Sequence, residues 1–98
     1  MNNNQHPSVP GECHHELADL LDHLLNLPLG SQDEVEEWYE TASSAEEFLE
    51  THWSDLTVPI PHDIYHFFSD ADIRAKESGY RVSQEDEVRR LIALLRSK

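Results

Sequence analysis

The sequence predicts a small all-α domain, a single bundle of four to five short helices, and three observations carry that prediction. Apolar residues recur at i, i+3, i+4 and i+7 in several separate segments. Three hydroxyl-led acidic starts, Ser31-Gln32-Asp33-Glu34, Ser44-Ala45-Glu46-Glu47 and Ser83-Gln84-Glu85-Asp86, stand at the head of such segments. No stretch alternates apolar and polar residues as a half-buried strand would. The chain has 98 residues, enough for one core. We assign residues 12–98 to an acidic helical domain and residues 1–11, with Pro7, Pro10 and three consecutive asparagines, to a disordered N-terminal tail.

The first helix is expected over residues 12–26, where Leu17, Leu20, Leu21, Leu24 and Leu25 form one stripe and His15, Asp19, Asp22 and Asn26 take the other side. Leu27-Pro28-Leu29-Gly30 stops it. The Ser31 start opens a second helix with Val35, Trp38, Tyr39 and Ala42 inward. The Ser44 start opens a third with Ala45, Phe48, Leu49, His52, Trp53 and Leu56 inward; both are short enough to merge. Val58-Pro59-Ile60-Pro61 cannot continue a helix, because proline lacks the amide donor and restrains the residue before it. From Pro61 a fourth helix runs to about Glu77 with Ile64, Phe67, Phe68, Ala71 and Ala75 inward, and Gly79 is placed as a C-cap residue. The Ser83 start opens the last helix, with Val88, Leu91, Ile92 and Leu95 as its stripe.

Charge is divided sharply along the chain. Residues 1–73 hold 16 acidic residues and no Lys or Arg, whereas residues 74–98 hold 7 basic and 4 acidic ones. The formal net charge of −13 excludes attraction to nucleic-acid phosphates or an anionic membrane surface. Asp33, Glu34, Glu36, Glu37, Glu40, Glu46, Glu47 and Glu50 put eight carboxylates into 18 residues, on the sides of their helices away from the core. The basic residues, by contrast, have acidic residues four positions earlier: Asp70 with Arg74, Asp72 with Lys76, Glu85 with Arg89 and Asp86 with Arg90. A single cysteine, Cys13, excludes an internal disulfide and a cysteine-rich zinc site, and fits a reducing compartment. With no apolar signal core at the start and no run approaching a membrane span, the expected location is cytoplasmic.

Enzyme chemistry finds little footing. The chain has no Gly-x-Ser-x-Gly elbow and only three glycines, too few for a phosphate-cradling loop, and no cofactor is expected. His62-Asp63-Ile64-Tyr65-His66 resembles the zinc-protease pattern His-Glu-x-x-His, with the shorter aspartate replacing the general-base glutamate and Asp70 one turn further. A weak metal reading of His62, His66 and Asp70 is the first alternative. A second ligand-capable cluster, Cys13-His14-His15 with His23, cannot face one ion from a regular helix, because adjacent side chains point about 100° apart. His52, in the stripe with Phe48, Leu49 and Trp53, reads as a hydrogen-bonded core histidine, with a pH-sensitive switch as the alternative.

The acidic segment is the main functional expectation. A sequence selected only for solubility would mix signs, so 73 residues without a basic side chain point to a basic protein partner, bound without direct nucleic-acid contact. The expected module is non-enzymatic and inhibitory, either a DNA mimic occupying the phosphate-binding surface of a nucleic-acid-binding protein, or a toxin antagonist. Trp38, Tyr39, Tyr65 and Ile73 are the anchors available to add affinity. Asp63-Ile64-Tyr65, at the start of a later helix in a short acidic helical chain, resembles bacterial nuclease-toxin immunity proteins. The likeness covers those few residues and implies, at the level of fold, the same kind of basic partner. Charge reversal at Glu36, Glu37, Glu46 and Glu47 is expected to spare the fold and weaken capture. The remaining alternative is a subunit with a merely solubilising surface that self-associates through His62, His66 and Ile73.

Overall fold

The computed structural model describes residues 12–98, so the predicted tail over residues 1–11 lies outside the described residues. The described chain is all-α: α1 (Glu12–Leu25), α2 (Gln32–Thr51), a 3₁₀ turn at Trp53–Asp55, α3 (Ile64–Ser69), α4 (Ala71–Lys76) and α5 (Ser78–Arg96). Helix α1 packs on α2 and α5, while α3 and α4 each bridge α2 and α5. The body measures 49 × 24 × 18 Å, about two helix diameters in cross-section, so every helix keeps one face in water.

The leucine stripe of α1 behaves as expected, with Leu17, Leu21 and Leu24 buried and His15, Asp19, Asp22 and Asn26 exposed. Ser31 caps α2: its Oγ accepts the Glu34 amide at 3.2 Å, and Glu34 Oε1 reaches back to accept the Gly30 amide at 2.7 Å. The second acidic start does not open a new helix. Val35, Trp38, Ala42, Ala45 and Leu49 keep the 3- and 4-residue spacing unbroken, so their burial carries α2 through Ser43 and Ser44 to Thr51. Ser43 Oγ donates to the Tyr39 carbonyl one turn back, within the continuous helix, and Ser44, the expected cap, lies in the helix interior.

Three further boundaries correct the sequence reading. The expected helix from Pro61 to Glu77 begins at Ile64 and is broken at Asp70, leaving α3 and α4. Neither glycine nor proline breaks it. The Tyr39 hydroxyl from α2 donates to the Ser69 carbonyl at 3.0 Å or to Asp72 Oδ1 at 2.9 Å, and accepts the Asp72 amide at 3.2 Å. The Ser69 hydroxyl donates back to the Tyr65 carbonyl at 2.9 Å. Gly79 lies in the first turn of α5, not at a C-cap, because the extended Glu77 already separates the helices. Helix α5 therefore starts before Ser83, and Gln84 and Glu85 are buried where a capping box was expected.

The reason lies in Arg74, which is 1% exposed and not on a surface pair with Asp70. Its guanidinium carbon lies 4.5 Å from the Trp38 ring centre and 4.4 Å from that of Phe67. Nη1 donates to the Phe67 carbonyl at 2.8 Å and to Gln84 Oε1. Burial pulls its pKa down to about 10, against the opposing pull of Glu85, Tyr39 and Asp70. A buried cation needs this company, so it draws the start of α5 onto α4. The other predicted pairs are rearranged as well: Glu85 meets Arg89 at 3.6 Å as expected, Asp86 meets Arg89 and not Arg90, and Asp72 bonds Tyr39 instead of Lys76.

Candidate acidic docking face

At 100° per residue, the core side of α2 is set by Val35, Trp38, Ala42, Ala45 and Leu49. Asp33, Glu36, Glu37, Glu40 and Glu47 then fall on the opposite side, and all five are exposed. Because α2 is one continuous helix, these carboxylates share a single stripe spanning about 21 Å at 1.5 Å per residue. The other three sequence-predicted carboxylates stand apart. Glu34 is half-buried and engaged in the cap, while half-buried Glu46 and exposed Glu50 lie on the flank toward Tyr65, Glu50 at the edge of the stripe.

That flank holds one of the predicted anchors. Tyr65 is half-buried, and its hydroxyl is pushed above the usual tyrosine range by burial, then by Glu50 and Glu46. Tyr65, Glu46 and Glu50 therefore form one mixed aromatic and acidic patch beside the stripe. Ile73 is 41% exposed on α4. Trp38 and Tyr39 are not available: Trp38 is buried and donates to the Leu24 carbonyl at 3.0 Å, and Tyr39 is tied to the α3/α4 junction.

Among the described residues, seven ion-pair contacts within 4.0 Å join His52 to Asp55, His66 to Asp70, Arg81 and Arg89 to Glu85, Arg89 to Asp86, and Arg96 to Asp19 and Asp22. None involves a carboxylate of α2. Lys76 lines a shallow groove with Ser31, Gln32 and Val35 at the start of α2, without an ion pair to the stripe. Glu36 accepts only a neutral hydrogen bond, from Gln32 Nε2 at 3.3 Å.

The histidines separate into different roles. His62 precedes α3 in a turn; although His66 Nδ1 is 4.0 Å from Asp70 Oδ2, the ligand atoms of His62, His66 and Asp70 do not all come within 4.8 Å of one another. His14, adjacent to Cys13 in sequence, turns inward. Its Nε2 accepts the Thr57 amide at 2.9 Å, which leaves the ring proton on Nδ1. The sequence reading placed His14 only in a ligand-capable cluster and did not anticipate its burial against Thr57. His52 is half-exposed at the C-cap of α2 rather than in the core, stacked on Phe48 and bonded to Asp55. A groove of about 230 Å³ between Pro59, Ile64 and Phe67 on one side and Val88, Leu91 and Leu94 on the other is mainly apolar. Its ionisable side chains, Asp63, Glu87 and Arg90, are all exposed.

No helix among the described residues is long and apolar enough to cross a membrane. No family model, curated protein or solved structure matches this chain.

Proposed function

We propose that this protein acts without chemistry of its own, as a binding or inhibitory module that lays the outer face of α2 on a positively charged protein surface. The observation that carries the reading is the stripe of Asp33, Glu36, Glu37, Glu40 and Glu47, exposed along one helix without an ion-pair partner among the described residues. Unpaired like charges at this density repel one another and lower stability, a cost that a cationic partner would offset. The stripe would steer encounter, and the patch of Tyr65, Glu46 and Glu50 would supply the contact that desolvates on docking. Partners of this chemistry are nuclease-type toxins and other proteins whose basic surface normally holds phosphate.

The test is affinity capture by the full chain at low and high salt, beside a Glu36→Lys/Glu37→Lys/Glu40→Lys/Glu47→Lys variant whose helicity is checked by circular dichroism. Glu40 replaces Glu46 in this set because Glu46 is half-buried on the flank. The proposal predicts enrichment of basic proteins that high salt releases and the variant fails to hold, with affinity for the captured partner lowered at least about tenfold. Equal capture by the folded variant, or capture indifferent to salt, would overturn it.

A further inference from the structure

The start of α1 and the end of α2 bring together three side chains of different chemistry that are distant in sequence. Cys13 Sγ lies 3.6 Å from His52 Nδ1, and that same nitrogen lies 3.3 Å from Asp55 Oδ2. All three ligand atoms fall within 4.8 Å of one another. We propose that Cys13, His52 and Asp55 form a zinc-type divalent metal site that joins the first turn of α1 to the corner after α2.

Two of the three spacings suit a coordination sphere. Ligands at zinc distances of about 2.3 Å for sulfur, 2.05 Å for imidazole and 2.0 Å for carboxylate, at tetrahedral angles, stand about 3.6 Å apart for S···N and about 3.3 Å for N···O. Those are the two separations observed. A hydrogen-bonded cluster explains them less well. One imidazole nitrogen offers a single in-plane site, either a proton or a lone pair, and cannot serve Cys13 and Asp55 equally. A cation between the three atoms satisfies all of them.

The surroundings suit the ion. The ring of His52 is held by stacking on Phe48, with centroids 4.4 Å apart, so its nitrogen is aimed before binding. Cys13 is 9% exposed, and its thiol is pushed above the usual cysteine range by burial, then by Asp55, Glu12 and Glu16. The same negative field that opposes a bare thiolate favours a divalent cation, which displaces the thiol proton on binding. Side-chain exposures of 34% for His52 and 59% for Asp55 leave an entry side and room for water as a fourth ligand. One thiolate, one imidazole and one carboxylate select zinc or cobalt over magnesium or calcium, which prefer oxygen alone. The site shares no residue with the α2 stripe and stands or falls separately from the docking proposal.

The experiment is titration of the reduced, chelator-treated full chain with cobalt(II), followed by zinc(II). The expected result is one equivalent bound, with sulfur-to-cobalt charge-transfer absorption and tetrahedral visible bands that zinc abolishes. Zinc at a hundredfold excess over its Kd should raise the melting temperature by roughly 10 to 20 °C. Cys13→Ser should remove the sulfur band, and His52→Ala or Asp55→Asn should weaken binding at least tenfold, whereas His62→Ala/His66→Ala should leave it unchanged. His52 and Asp55 are exposed enough that their variants keep the test valid if Cys13→Ser does not fold. A cobalt spectrum without the sulfur band, or affinity unaffected by His52→Ala and Asp55→Asn, would overturn the proposal.

Discussion

Glu85 in α5 and Glu36 in α2 are the same side chain put to opposite uses. Glu85 is buried, 3.0 Å from Arg81 Nε and 3.6 Å from Arg89 Nη2, and its charge helps hold Arg74 in the core. Glu36 points to water, bonded only to a neutral amide. The two regions differ in what their charge accomplishes. In α4 and α5 it builds the fold, joining helices through Arg74, Gln84 and Glu85. In α2 the fold is made by Val35, Trp38, Ala42, Ala45 and Leu49, with Glu34 closing the cap, and the stripe carboxylates Asp33, Glu36, Glu37, Glu40 and Glu47 pair with no other helix among the described residues. Charge that does not serve folding is available for binding.

Substitutions that cross this divide should give very unequal effects. Arg74→Ala removes a buried side chain from between Trp38 and Phe67 and leaves the Phe67 carbonyl and Gln84 without their donor. It should cost roughly 3 to 5 kcal/mol, read as the denaturation midpoint at constant m-value. Arg74→Met keeps much of the volume without the charge and should lose markedly less. Ser31→Ala, which uncaps α2, should cost about 1 kcal/mol. Replacing Glu36, Glu37, Glu40 and Glu47 together with Gln should change stability by less than about 1 kcal/mol, in the stabilising direction, because it relieves repulsion and breaks no ion pair. A loss comparable with that of Arg74→Ala would erase the contrast between the regions.

The smallest effect concerns pH. Asp72 is held below the usual carboxylate range chiefly by the hydrogen bond from Tyr39. Its folded pKa is therefore lower than its unfolded one, so its contribution is present above the ordinary aspartate value of about 3.9 and is lost as pH falls through the folded value. Asp72→Asn should flatten the acid limb of the stability profile below about pH 4, measured by melting temperature against pH. An unchanged limb would detach Asp72 from the Tyr39 junction.

Much of this was legible in the order of residues. The leucine stripe of α1, the cap at Ser31 and the sidedness of Asp33, Glu36, Glu37, Glu40 and Glu47 follow from local spacing alone. The merging of the two middle helices was written in the unbroken run from Val35 to Leu49, which outweighs a second serine-led start because burial contributes more than one cap. The break at Asp70 could not be read locally, since it depends on a tyrosine hydroxyl 31 positions away in another helix. Arg74 was hidden for the same reason. Its four-residue spacing from Asp70 suggests an exposed pair, and only the aromatic walls supplied by Trp38 and Phe67 make burial the better outcome. The site of Cys13, His52 and Asp55 joins positions 39 and 42 residues apart, beyond any spacing rule.

The most direct measurement of the central claim is the salt dependence of Kd for the most strongly captured basic protein, with the wild-type chain and with the Glu36→Lys/Glu37→Lys/Glu40→Lys/Glu47→Lys variant. The account predicts a steep weakening of the wild-type complex as salt rises and a much shallower slope, at lower affinity, for the variant. Coincident curves for the two chains would contradict it.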